Sequence, residues 1–431
     1  MTSKTLCSVA VVWGLLVCSP VSAATVDFSQ TLSNPTPASE DNFGNDVAQN
    51  EDFYVVAALF DDQGAPDSGV VHIFSKETGD LVRTLTNPSP NGGDWFGNRI
   101  DVEGNTLAVS AYLDDTNGPD TGQVYLFNLQ TGALEKTLSS PVPSASDRFG
   151  IDVSLSENHV IVGSDLADAG ASNAGAAFVF DRSTGALVHT LNNPKPNAND
   201  QFGIATDIEG NFAVVGAQGN SDSGTNAGSI YVFDAGTGDL LYTIDNPAGQ
   251  ENGRFGRTLK IADGRVLVGG GAVAESRNPQ TPDEPRAWLY DLHSGSLLHA
   301  FTDPFDGGAD GFGNDVAIND RYAIITDVED DNGLPDTGEV YIFDIESYEL
   351  LARIASPDPA SLDRFASVYV FENTLLAGAG GTTVEGVRAG SAYVFELTPI
   401  PVPGAFGLFV LGMSGAAWLR RVRIANRPAA A

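Results

Sequence analysis

One tetrapeptide returns along the chain at a fixed stride, and it limits the fold more than any other feature. It reads DNFG at 41–44, DWFG at 94–97, DRFG at 147–150, DQFG at 200–203, GRFG at 253–256 and DGFG at 310–313, with a degraded DRFA at 363–366. Its phenylalanines are Phe43, Phe96, Phe149, Phe202, Phe255, Phe312 and Phe365. Five of the six intervals are 53 residues, and the one from Phe255 to Phe312 is 57. A long fixed period means a repeat architecture, in which each unit buries its apolar face against its neighbours.

Every unit carries the same blocks in the same order. After the motif comes an apolar stretch such as LAVSA (107–111) or AVVGA (213–217), then an acidic, Gly-rich loop. GQVYLF (122–127) or GSIYVF (228–233) follows, then TGALEKTL (131–138) or TGDLLYTI (237–244), then a link such as NPSP (87–90). In the second unit Arg99 to Val102 reads as a short strand. Glu103 to Asn105 reads as a hairpin turn, with Gly104 free to take positive φ. Leu107 to Ala111 reads as a buried strand, Gln123 to Phe127 as a third and Leu134 to Leu138 as a fourth. Nothing has helical period. Four antiparallel strands repeated seven times predict an all-β, seven-bladed β-propeller.

The two ends of the repeat region are in complementary phase. VDFSQTLSNP at 26–35 matches the tail of a unit, and the last unit stops after GSAYVFEL at 390–397. The N-terminal strand, about Val26 to Leu32, is therefore expected to supply the fourth strand of the last blade, which removes two open sheet edges.

The FG pairs at 43, 96, 149, 202, 255 and 312, with VGA at 215–217, AGA at 377–379 and YVF at 231 and 393, resemble the FG-GAP repeat family of integrin α-subunit propellers and many bacterial surface proteins. The resemblance covers about residues 26–397. It implies a secreted or cell-surface binding module for adhesion or matrix interaction, with an extracellular protein or polysaccharide as partner. Integrin-type repeats often carry Asp-x-Asp-x-Asp-Gly calcium loops between the first two strands. Here those places hold VEGNT, LSENH, IEGNF and IADGR, which are tight turns, so calcium is not carried over to them. The recurring pair itself reads as structural. The Phe wedges between blades, the Gly permits a tight turn into the innermost strand, and the preceding Asp caps that turn.

The termini read as targeting segments. Residues 1–24 have the form of a signal peptide: Lys4, an apolar run from Leu6 to Val17, then SPVSAA. Both cysteines, Cys7 and Cys18, lie inside it. The propeller then spans 25–398, and 399–431 holds prolines, an apolar stretch from Gly404 to Leu419, and an arginine cluster. That stretch is at the short limit for a membrane span. The order resembles the PEP-CTERM sorting tail of Gram-negative bacteria, although Val402 stands where the family name implies Glu. The resemblance implies transient membrane anchoring through a segment closed by Arg420 and Arg421, and cleavage by an exosortase-like protease near Pro401 and Pro403. A plain C-terminal anchor is the alternative.

Without Lys4 and the four tail arginines, 17 of the 22 basic residues face all 56 acids, a net charge near −39. Such a surface repels nucleic acid and anionic lipid. In a propeller, the links from second to third strand and from fourth strand to next blade share one face. Here they are the longest links, so that face is the expected binding surface, with carboxylates crowding its centre. Two loops offer oxygen ligands around glycines for a hard cation such as calcium. One holds Asp114, Asp115, Asn117 and Asp120; the other holds Asp327, Asp330, Asp331 and Asp336. A solvated acidic surface is the alternative. The longer interval places its four extra residues in 270–288, with Arg277, Arg286 and Trp288, as a recognition loop or an inert insertion.

Catalytic and cofactor motifs are missing from the sequence. His189 and His299 share a fourth-strand position two blades apart, and His72, His159 and His293 lie elsewhere in their units. No serine sits in a nucleophile elbow. Carboxylate pairs for glycoside cleavage cannot be singled out among so many acids. A propeller enzyme acting on extracellular polysaccharide therefore stands as the alternative to a binding module, and a structural matrix protein as a third reading. FDRSTGALVHTL (180–191) resembles quinoprotein propeller repeats, in which a docking tryptophan follows a Thr-Gly turn. The tryptophan positions here hold Arg83, Lys136, His189, Tyr242, His299 and Ala352, which reduces the resemblance to a shared hairpin turn.

Overall fold

The computed structural model describes residues 24–270, 286–305, 311–328, 337–359, 363–384 and 387–399. These form seven four-stranded antiparallel sheets arranged as the blades of a ring, with no helix among the described residues. Blade 1 runs Phe43–Gln49, Phe53–Ala58, Val70–Ser75 and Leu81–Thr86 from the inside outward. In blade 7 the sheet order ends on Ala24–Ser33, which pairs with Ser391–Pro399 as the outermost strand. The N-terminal strand thus closes the last blade and is slightly longer than its sequence suggested. In blade 2 the first strand begins at Ile100, one residue later than expected. The Ser110 hydroxyl takes the Arg99 N–H at 3.0 Å and replaces the ladder bond there.

Burial follows from the position of each strand between neighbouring sheets. Second and third strands are covered on both faces, so they read as unbroken apolar runs; Phe53–Ala58 is buried throughout. In blades 1 to 5 the fourth strand is exposed at its first two residues, as at Leu81 and Val82, and in blade 1 it is buried at Leu85.

The motif phenylalanines are buried to within 1% and sit at the blade junctions. Phe96 packs with Tyr125 and Phe127 of its own third strand, centroids 5.8 and 6.0 Å apart. The same cluster contains Val55, Val71, Ile73 and Leu85 of blade 1. The glycine after the motif Phe is required twice over in blade 4. Gly203 has φ +95°, and a Cβ there would stand 2.3 Å from the Ala176 carbonyl of the preceding blade. Gly163, in the second strand of that preceding blade, has its own missing Cβ filled by the Gly203 carbonyl at 1.9 Å. The two glycines that flank a junction therefore meet across it. The preceding Asp caps as expected: Asp94 accepts the Asn91 N–H at 2.7 Å and the Asn87 side-chain amide at 2.8 Å.

The outer edge also has inter-blade ties, at the positions where a quinoprotein repeat would hold tryptophan. Arg83 donates to the Gln130 carbonyl at 3.1 Å, His189 Nε2 meets the Gly236 carbonyl at 2.9 Å, and Tyr242 donates to the Leu292 carbonyl. His299 stacks on Tyr348 at 4.4 Å. Lys136 lies against Gly185, and Gln30 of the N-terminal strand lies against Gly79. Each covers the turn between third and fourth strands of the next blade. Ala352 faces blade 7, whose fourth strand comes from the N-terminus, so no such turn lies before it.

Candidate functional site

The innermost strands place every second side chain in the central channel. Two positions recur, three and five residues past the motif Phe in blades 1 to 6. The first holds Asp46, Arg99, Asp152, Ala205, Thr258 and Asp315; the second holds Ala48, Asp101, Ser154, Asp207, Lys260 and Ala317. Blade 7 is one residue shorter here and presents Ser367 and Tyr369.

The innermost strand of each blade is a sheet edge with unpaired N–H groups, and the channel carboxylates satisfy them across the junctions. Asp46 accepts the Ile100 N–H at 2.7 Å, Asp101 that of Leu155 at 2.7 Å, and Asp152 that of Thr206 at 2.6 Å. Asp207 accepts from Ile261 at 2.6 Å and Asp315 from Val368 at 3.2 Å. Blade 5 has no such aspartate; there the Thr258 hydroxyl donates to Asp315 at 3.3 Å.

Charge in the channel is strongly coupled. Burial pushes Asp46 and Asp101 up to about 6, against the pull of Arg99 on the first and Lys260 on the second. Burial alone would lower Lys260, yet Asp207, Asp101, Asp152 and Asp46 outweigh it and hold the ammonium above its ordinary value. Two cavities share the axis, of about 540 Å³ toward the loop-bearing face and about 430 Å³ toward the hairpin-turn face. Lys260 and Tyr369 line both and form the waist; Tyr369 reaches across to the Val102 carbonyl at 3.5 Å.

The mouth of the larger cavity is set by the residue just before each motif Phe. Asn42, Trp95, Arg148, Gln201, Arg254 and Arg364 all take left-handed φ between +48° and +58°. This conformation is uncommon for such side chains; Asn42, Arg254 and Arg364 among them line the cavity. Arg254, Arg257 and Arg364 line the rim, with Arg99 deeper. The two kinds of link do share this face: Gly93 N–H bonds the Pro66 carbonyl, and Ser146 N–H the Pro119 carbonyl, both at 2.9 Å.

The described residues of the acidic loops are engaged within their own loops. Asp114 is fully buried and accepts from the Thr116 N–H at 2.8 Å, the Gln123 amide at 3.2 Å and the Tyr125 hydroxyl at 2.8 Å. Asp115 accepts the Asp120 N–H at 2.7 Å, while Asn117 is exposed. Asp61 and Asp327 are buried at the base of their loops. The Asp114 and Asp115 side chains thus bend back onto their own loop. Among the described residues no group of three or more His, Cys, Asp or Glu side chains is placed to hold a metal ion. Asp330, Asp331 and Asp336 lie outside the described residues, as do Arg277, Pro401, Pro403, Arg420, Arg421 and the signal-like segment before Ala24. No described helix is long and apolar enough to cross a membrane. His189 and His299 stay in separate blades.

The channel residues were not singled out from the sequence. The available signal was a charge on a strand otherwise apolar, as Lys260 in TLKIA or Asp101 in RIDV.

Comparison with curated proteins gives no match. Residues 28–74, 81–127, 134–180 and 191–233 match the family described as FG-GAP repeat. Each stretch runs from the region of one blade's fourth strand to the third strand of the next, so one matched unit spans a junction rather than a blade. The chain is thus a seven-bladed β-propeller, four stretches of which match the FG-GAP repeat family.

Proposed function

We propose that the chain is an extracellular binding module, in adhesion or matrix interaction, that engages its partner over the channel mouth on the loop-bearing face. The observation that carries this reading is the cavity of about 540 Å³ on the axis, lined by all seven blades and opening among the longest links. Its size falls within the range of small-ligand sites. FG-GAP repeats typically occur in extracellular or cell-surface proteins, which agrees with the export segment read at 1–24 and the sorting tail read at 399–431.

The test is site-selective blocking. A bulky maleimide is attached at Asn117→Cys on the loop face or at Asn211→Cys on the opposite hairpin-turn face, both exposed positions. Each labelled protein is screened on glycan and extracellular-protein arrays, with and without calcium. Binding lost with the Asn117 label and kept with the Asn211 label supports the reading; the reverse pattern defeats it. Release of cleaved product from a bound glycan would mark a polysaccharide-acting enzyme instead.

A further inference from the structure

The two ends of the channel carry opposite charge. The cavity toward the loop-bearing face is lined by Arg99, Arg254, Arg257, Arg364 and Lys260 against Asp46, Asp152 and Asp315. The cavity toward the hairpin-turn face is lined by Asp101, Glu103, Glu157, Asp207 and Glu209 against Lys260 alone. All residues lining this second cavity, and every turn from first to second strand around its mouth, are among the described residues. Three of its carboxylates are engaged by backbone. Asp101 accepts the Val102 and Leu155 N–H groups, Asp207 those of Ile208 and Ile261, and Glu209 those of Asp263 and Gly264. Glu103 and Glu157, on the adjacent blades 2 and 3, are exposed, and among the described residues neither carboxylate has a hydrogen-bond or ion-pair partner. The Lys260 ammonium at the waist has none either. On the other side of the axis, blades 5 to 7 line the cavity with Ala262, Ile318 and Val370. The space of about 430 Å³ therefore has free acceptors on one side, an aliphatic wall on the other and a free donor at its floor.

We infer that this end of the channel is a binding site for an amino-sugar unit, separate from the partner surface on the loop-bearing face. Glu103 and Glu157 hold its ammonium group, Lys260 donates to its hydroxyl oxygens, and the C–H face of the ring packs on Ile318 and Val370. Each part of the ligand answers a group that the protein leaves unpaired. Five carboxylates against one ammonium exclude an anion and draw a cation, more strongly in a partly enclosed site than in bulk water. A simple amine, a polyamine or an inserted lysine side chain would satisfy the glutamates but not Lys260, because an ammonium group only donates. The ligand must therefore carry a cation and, beside it, neutral oxygens that accept. A hydroxyl-bearing ring with one amino group has both, and its C–H face suits the aliphatic wall. The cavity volume falls within the range of small-ligand sites.

Titration calorimetry on the full-length protein tests the assignment. The probes are a glucosamine trisaccharide, the neutral N-acetylglucosamine trisaccharide, a galacturonic-acid trisaccharide, spermidine and alanyl-alanine amide. The glucosamine trisaccharide is expected to bind at least tenfold more tightly than each of the others. Glu103→Gln with Glu157→Gln should weaken it at least tenfold and bring it level with the N-acetylated sugar. Lys260→Met removes the donor and should reduce the preference for the glucosamine trisaccharide over spermidine. Glu77→Gln, an exposed glutamate on an outer turn of blade 1, is the control and should change nothing. Melting curves check that each variant is folded; should Lys260→Met fail to fold, the exposed glutamate pair decides alone. Equal or tighter binding of any other probe, or no effect of the glutamate pair, overturns the inference. So does blocking of the trisaccharide by the label at Asn117 rather than the one at Asn211. Capture lost with the Asn117 label while the glucosamine trisaccharide fails to bind removes this site and leaves the loop-face reading standing. Glucosamine binding blocked at Asn211, with no capture sensitive to the Asn117 label, does the opposite.

Discussion

The inner and outer edges of the ring solve the same problem with different chemistry. At the inner edge five junctions use one residue type, aspartate, to accept one N–H from the next blade. At the outer edge Gln30, Arg83, Lys136, His189, Tyr242 and His299 each cover the turn of the next blade. An edge N–H inside the channel is costly to leave unpaired and needs a strong acceptor of fixed reach. A turn carbonyl at the outer rim already has water. Any long side chain can cover it, and such contacts contribute little. Chemical uniformity therefore marks where the ring needs a bond, and variety marks where it needs only bulk.

The largest expected effect is at the inner edge. Asp207 accepts from Ile261 N–H at 2.6 Å, Ile208 N–H at 2.8 Å and the Ser154 hydroxyl at 2.5 Å. Asp207→Ala should cost about 3 kcal/mol in urea unfolding, because buried donors lose their acceptor. Asp207→Asn keeps a carbonyl oxygen and should recover part of that loss. A cost below about 1 kcal/mol for the alanine variant would erase the distinction between the edges.

Acidity should separate the edges next. Asp46 and Asp101 sit at about 6 in the folded ring, above the ordinary 3.8. The folded state therefore binds protons between these values that the unfolded state does not. Stability from these groups is full below the ordinary value and is lost as pH rises through about 6. Asp94 and Asp165, also at about 6, act in the same direction. His72, held down to about 4 by burial, opposes them: its contribution is present above 6.5 and is lost as pH falls through about 4. Melting temperature should rise from pH 7.5 to pH 5, and Asp46→Asn with Asp101→Asn should flatten that rise. An unchanged slope in the double variant would place the pH dependence elsewhere.

Outer-edge changes should be smallest. His189→Ala should cost about 0.5–1 kcal/mol, the worth of one exposed hydrogen bond. Ala352→Arg should stay within about 0.5 kcal/mol, since blade 7 presents no turn for a longer side chain to cover. A clear stabilisation by Ala352→Arg would show that bulk alone, without a turn beneath it, ties blades together.

What the sequence disclosed follows from the same contrast. The blades were legible because Phe96 and its equivalents meet the same environment seven times and must be the same residue. Ring closure was legible because the strand at 24–33 carries the phase of a fourth strand, with Gln30 where Arg83 stands in blade 1. The mouth was not legible, because it is made from what differs between units. Asn42, Trp95, Arg148, Gln201, Gly311, Arg254 and Arg364 look like a variable spacer until their shared position around the axis is seen. Composition is silent on how the acidic loops are arranged for a related reason. Composition records that Asp114 is an acid, but not that Gln123 and Tyr125 return to the same loop and occupy it.

The pairing of Ala24–Ser33 with Ser391–Pro399 also sets a clock. The first segment of the propeller to be synthesised finds its partner in the last. No blade 7 sheet can be completed until nearly the whole chain has been made. Searching over so long a loop adds little equilibrium cost, about 0.6 kcal/mol for each doubling of length, but it slows assembly. The seam is held by local contacts once formed: Leu32 is buried, Phe28 meets Phe395 at 5.8 Å, and Lys76 lies over Tyr54 and Phe371 at 5.0 and 5.1 Å. The ring is therefore complete only when the strand at 24–33 has paired with the one at 391–399.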